Sequence, residues 1–140
     1  MTMVELPPHA RTFTLDEARD LLPRVRDLME TALVIRVDVE TAMRELHALE
    51  GSRTRHNALY LARSLREKRG EVGEHLHALQ SILDEAHGLG CLVKGFDPAL
   101  VDFPAWRDGR IVLLCWRLGE DTISFWHEIS GSYLTREPLS

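Results

Sequence analysis

Apolar residues recur every seven positions from Val25 to Leu49, and this regularity constrains the chain more than any other feature. Val25, Ala32, Val39 and Leu46 share one heptad position; Leu28, Ile35, Ala42 and Leu49 share the other. Repeats without a miss demand one long helix with an apolar seam, because only a helical repeat gathers that spacing onto one face. Such a helix needs about 26 residues and runs roughly 40 Å. Gly51-Ser52 ends it, and Arg53 to Asn57 form the turn. A second helix is expected from Ala58 to Ala86, with Leu65, Val72, Leu79 and Ala86 at seven-residue spacing. Leu76, Ile82 and Leu83 widen its stripe. Two amphipathic helices joined by a short turn pack as a long antiparallel, coiled-coil-like hairpin. Gly70 and Gly73 each weaken the second helix by about 1 kcal/mol against alanine, and suit either a close crossing or a bend.

Ahead of the heptad, Thr14 is a natural N-cap, and Glu17 stands where a capping box needs it. Phe13 can staple onto Ala18. Pro23 lacks the N–H that bonds back one turn, so Leu15–Leu22 reads as a short helix and Pro23 as the start of the longer one.

The character of the chain changes near residue 90. Seven of the nine aromatic residues follow position 95, whereas 15 of the 22 acidic residues precede position 90. Charged helices followed by a small aromatic-rich sheet are therefore expected: an α+β fold in a single domain, helical over 12–89 and β over 90–140. Gly88 and Gly90 stop the helix. Cys91–Phe96 reads as a strand, Asp97-Pro98 begins a loop carrying Val101-Asp102-Phe103-Pro104, and Ile111–Leu118 and Ile123–Ile129 read as a hairpin. Pairing Leu118 with Ile123 sets Trp116 opposite Phe125 and Leu114 opposite His127. Both hairpin faces are then apolar and must be covered, one by the helices and the other by the tail.

Composition narrows the function classes. A chain of 140 residues with 28% charged residues and a net charge of −5 is globular and acidic, which argues against nucleic-acid binding. No apolar run is long enough to span a membrane. The first eleven residues, with Pro7-Pro8 among them, carry no secretory h-region. Two cysteines, Cys91 and Cys115, fit a reducing cytoplasm better than a disulfide scaffold.

The segments Gly90-Cys91-Leu92-Val93-Lys94-Gly95, Leu100-Val101-Asp102-Phe103-Pro104-Ala105, Leu114-Cys115-Trp116-Arg117-Leu118-Gly119-Glu120 and Trp126-His127-Glu128 carry a resemblance. So do the opening Arg11-Thr12-Phe13-Thr14-Leu15-Asp16-Glu17-Ala18 and the Leu21-Leu22-Pro23 break. Together they resemble a bacterial family catalogued as domain of unknown function 2203, over nearly the whole chain. Ala99 stands where that family usually has glycine, and Ser132-Tyr133 where it has Gly-Phe. The resemblance implies a stand-alone bacterial domain and brings no activity with it.

Several groups of residues can carry chemistry. Glu74-x-x-His77 and Asp84-x-x-His87 match di-metal helix spacing, but with Leu79 on the core stripe His77 and Asp84 face solvent. Cys91, Cys115 and His127 can form a soft zinc or copper site if strands unite them; buried inert thiols are the commoner outcome. Arg53, Arg55 and Arg63, with Arg66, Lys68 and Arg69, make the tip between the helices basic, a surface for phosphates, acidic lipid or an acidic protein partner, or simply a solvated face. Asp102, Arg117, Glu120, His127, Glu128 and Arg136 are the polar residues embedded among aromatics. A charge near a core needs a partner or a ligand. A structural network, such as Arg117 with Glu128 or Asp102 with Arg136, satisfies that need as well as a binding site does. His127, sharing a face with Leu114, Trp116 and Phe125 in the hairpin above, needs a carboxylate such as Asp102 or Glu120, with Glu128 also near. That pairing orients a histidine for a divalent metal, so His127, Asp102 and Glu120 are the metal candidates.

No catalytic signature of nucleophile elbow, phosphate loop or zinc-protease helix occurs, and whether the chain is an enzyme is left open. The leading expectation is a non-enzymatic interaction or assembly module that self-associates through its helices as a dimer. The alternative is a small-molecule or metal-binding protein, an enzyme included, that uses the polar residues of the β part. Inward carboxylates and His127 around an open pocket favour the second reading; a dry, fully paired network favours the first.

Overall fold

The computed structural model describes residues 11–52 and 58–140. The fold is α+β: two long helices, α1 (Leu15–Glu50) and α2 (Ala58–Gly88), precede a five-stranded antiparallel sheet. Its strands are β1 (Leu92–Phe96), β2 (Ala99–Arg107), β3 (Arg110–Arg117), β4 (Phe125–Glu128) and β5 (Glu137–Pro138), side by side in chain order. Two compact units emerge, one of residues up to Met29 with Asp84–Ser140, the other Glu30–Leu83. No helix among the described residues is long and apolar enough to cross a membrane.

The capping box forms as expected. The Thr14 backbone N–H donates to Glu17 Oε1 (2.9 Å), and the Glu17 N–H donates to Thr14 Oγ1 (3.1 Å). The break expected at Pro23 does not occur: α1 runs through it, with Pro23 inside the helix. One missing hydrogen bond is outweighed where the flanking residues Leu22, Val25, Leu28 and Met29 are all buried.

Within the Glu30–Leu83 unit the heptad residues Ala32, Val39 and Ala42 are buried. Glu45 pairs with Lys68, and Glu50 with Arg69 (3.5 Å). The second helix therefore returns alongside the first, which makes the pair antiparallel. Leu76 departs from the expected stripe and is 47% exposed. A methyl added at Gly70 or Gly73 would meet nothing within 4 Å, so neither glycine serves a close helix crossing. The turn residues Arg53 to Asn57 lie outside the described residues.

In the other unit the sheet has two unlike faces, because side chains alternate along each strand. Val101, Phe103 and Trp116 lie on one, all fully buried. There Phe13 meets Phe103 edge-on, with centroids 5.5 Å apart. Leu100, Asp102, Leu113, Cys115 and His127 lie on the other. Two sequence expectations fail in this sheet. The segment read as a loop around Val101–Pro104 is instead β2, at nine residues the longest strand. Proline is usually excluded from inner strands, which is what suggested a loop. Here the Pro104 carbonyl accepts from the Phe13 N–H (2.7 Å), and β1 pairs only as far as Asp102. In an antiparallel strand a residue's N–H and C=O point to the same side. The missing N–H of Pro104 thus falls beyond the end of β1 and costs no ladder bond.

The second failure is register. Cys115 pairs with Phe125, Leu114 with Trp126 and Leu113 with His127, one residue away from the expected pairing. Ile123 leaves the ladder, is fully buried, and offers its carbonyl to Arg19 Nη2 (2.9 Å). The strand therefore begins at Phe125. A slip of one residue turns every side chain to the opposite face. His127 accordingly lies with Leu113 and Cys115, not with Leu114 and Trp116.

Candidate functional site

Asp102 on β2 and Cys115 on β3 are direct cross-strand partners, so their side chains project together from the same face. His127 on β4 joins them through the observed register. All three are buried, with Asp102 1%, Cys115 1% and His127 4% exposed. One ligand atom from each, a carboxylate oxygen, a thiol sulfur and a ring nitrogen, all lie within 4.8 Å of one another.

The histidine is held at both ring nitrogens. Nδ1 lies 2.7 Å from the Glu128 carbonyl oxygen, an acceptor only, so Nδ1 carries a proton and donates it. Nε2 lies 3.0 Å from Asp102 Oδ2. With acceptors at both ends, the doubly protonated ring suits the site in the absence of a metal. Burial works against that charge, but hydrogen bonds with Asp102, Cys115 and the Glu128 carbonyl outweigh it and raise the His127 pKa to about 10. The second carboxylate oxygen, Asp102 Oδ1, is buried with no hydrogen-bond partner among the described residues.

These three residues form the floor of a cavity of about 530 Å³. Its walls are Lys94, Pro98 and Leu100 from one side and Gly131, Ser132, Tyr133 and Leu134 from the tail. Ser132 caps the short 3-10 turn Tyr133–Thr135 through a reciprocal hydrogen-bonded box, which gives the tail wall a defined shape. The tail thus covers the sheet face opposite Phe13, as the apolar hairpin requires.

The other polar candidates stand apart from this floor. Glu120 accepts from Arg136 through both oxygens (2.9 and 2.8 Å) and from the Arg117 backbone N–H (2.7 Å). Its carboxylate is committed there, away from His127. Arg117 donates to the Tyr133 hydroxyl (3.0 Å), and Glu128 pairs with Arg110. The pairings Arg117–Glu128 and Asp102–Arg136 considered from sequence are both replaced: Glu128 takes Arg110, Asp102 takes His127 and Arg136 takes Glu120. Arg63 is exposed on α2, and Arg53 and Arg55 lie outside the described residues. His77 and Asp84 are exposed on α2, as the core stripe implied.

The family described as "Uncharacterized conserved protein (DUF2203)" matches residues 11–139. The chain belongs to this family. No curated protein and no solved structure matches it. For a DUF2203 chain the geometry is therefore the guide to function: it joins Cys115 to His127, as the soft-metal reading allowed, and it adds Lys94. Of the two cysteines in that reading Cys115 reaches the histidine, and Cys91 is left as the inert thiol. Cys91 fits that description: burial pushes its pKa up to about 12, against a weaker pull from Arg11. Lys94 had no signal in sequence, because its place depends on a bulge in β1.

Proposed function

We propose that this protein binds a divalent transition metal, zinc by the character of its donors, through Asp102, Cys115 and His127. The carrying observation is the convergence of three buried donor atoms, with Asp102 Oδ1 lacking any other partner. An orphaned buried carboxylate oxygen is costly and calls for an ion. Thiolate, imidazole and carboxylate together match zinc, whose bonds of about 2.0–2.3 Å set tetrahedral donors roughly 3.3–3.7 Å apart. A backbone carbonyl on Nδ1 is the usual support for a histidine that ligates through Nε2. A nucleophilic triad fits less well, because it needs thiol and carboxylate on different ring nitrogens, and Nδ1 already serves Glu128.

Three protein donors leave one position for water or a ligand, the arrangement of catalytic rather than structural zinc. Zinc so held supplies Lewis acidity and a more acidic bound water. The chain's own part is to fix the donors on adjacent strands and to shelter them under the tail. After chelation, titration with Co²⁺ should give one bound ion per chain and a thiolate-to-cobalt absorption band. Cys115→Ser should lose that band, and His127→Gln should weaken binding by at least about 100-fold. No uptake at micromolar Co²⁺, or uptake unchanged in both variants, sinks this reading.

A second reading is self-association through the helices, as the heptad suggests. Its support is the number of large apolar residues left exposed on the helices, Val34, Val37 and Met43 on α1 and Leu59, Tyr60 and Leu76 on α2. Light scattering at tens of micromolar should then report twice the chain mass; a monomer's mass ends the idea.

A further inference from the structure

We infer that the cavity above Asp102, Cys115 and His127 receives a small organic carboxylate, with Lys94 as its countercharge. The inference deepens the metal reading, on which the carboxylate's second contact depends.

Three observations on different residues carry it. The first is charge. Asp102, the one carboxylate among the residues that line the cavity, pairs with His127 through Oδ2. Lys94 lines the cavity and has no carboxylate within ion-pair distance among the described residues. The cavity therefore presents one uncompensated positive charge. The second is backbone geometry. Val93 pairs with Val101 and Gly95 with Leu100, so Lys94 is the extra residue of a β-bulge. Bulges re-aim a side chain and gather beside functional sites. The third is the wall. Pro98, Leu100 and Leu134 give the cavity an apolar lining, and a volume of about 530 Å³ suits a small organic molecule.

These features select one chemistry. An apolar body satisfies the walls, and a single negative charge matches the single lysine. A phosphate would set about two charges against one ammonium. With metal bound on the floor, a carboxylate oxygen can also fill the position that the protein leaves open.

Hexanoate tests the assignment, with acetate and hexylamine as controls on apolar body and charge. Added to the Co²⁺-loaded protein, hexanoate should change the visible cobalt spectrum and bind at least about tenfold more tightly than acetate, since each buried methylene contributes about 0.8 kcal/mol. Hexylamine should not bind. Lys94→Gln should weaken hexanoate about tenfold while leaving Co²⁺ affinity unchanged, which a merely structural lysine would not do. Equal binding of hexanoate and hexylamine, or no loss on Lys94→Gln, overturns the proposal. Co²⁺ uptake with no hexanoate binding also overturns it and leaves the metal reading standing. Calorimetry of the chelated protein separates the reverse case. Lys94-dependent hexanoate binding without any Co²⁺ uptake keeps the carboxylate and removes the metal.

Discussion

Asp102→Val is expected to destabilise the metal-free protein by about 3–5 kcal/mol at pH 6.5, the usual cost of removing one member of a buried charged pair. Adding His127→Leu should recover most of that loss, because an apolar pair of similar volume is often neutral or better. Urea unfolding in the presence of a chelator measures both. The comparison separates a binding site from a structural network: a pair kept for function is dispensable to folding once both members are gone. If the double variant is as unstable as the single one, the pair belongs to the scaffold.

The same pair predicts a pH dependence whose direction follows from His127. Its folded-state pKa, about 10, lies above the ordinary value of 6.5. The stabilisation is therefore complete below pH 6.5 and disappears as pH rises through about 10. The groups facing the ring from neighbouring strands are Asp102 on β2 and Cys115 on β3. Metal-free wild type should lose stability between these limits, and Asp102→Val should show a much flatter profile. A wild-type stability that rises over this range contradicts the assigned charge.

Trp116→Ala should cost about 3–5 kcal/mol, a large part of the 5–15 kcal/mol that holds a domain of this size folded. The indole is fully buried, and its Nε1–H donates to the Glu120 carbonyl (3.0 Å), so both a cavity and an unpaired acceptor result. Trp106, near the end of β2 in the same sheet, is 64% exposed, and Trp106→Ala should change stability by no more than about 0.5 kcal/mol. Equal midpoints for the two variants in urea would show that the sheet core is placed wrongly.

The two tryptophans mark the boundary of what the sequence can express. Features set by neighbours within one or two turns were legible in it. The heptad of α1 depends on helical spacing alone, and the Thr14–Glu17 box spans only three residues. The two helices and the strands β1, β3 and β4 followed from the same local signals, together with the shift from charged to aromatic residues near residue 90, whereas β2 and β5 did not. The Asp102–His127 pairing was also within reach, because a histidine among apolar strands has few carboxylates to choose from. Cys115 was a candidate beside His127 as well, but the register read from the sequence turned the two to opposite faces.

Whether Cys115 or Trp116 shares a face with His127 depends on one residue of register between β3 and β4. Both alternatives present an apolar face, so the sequence pattern scores them nearly alike. Contacts far along the chain decide between them. Arg19, 104 residues earlier, takes the Ile123 carbonyl that an extended β4 would have used in its ladder. Phe13 likewise meets the carbonyl of Pro104, so a proline that reads as a loop can lie in the longest strand. Local sequence determined the two helices and their caps, because those hydrogen bonds close within a few residues. The tertiary structure decided which side chains meet, because strand register is a long-range equilibrium that local periodicity leaves almost degenerate.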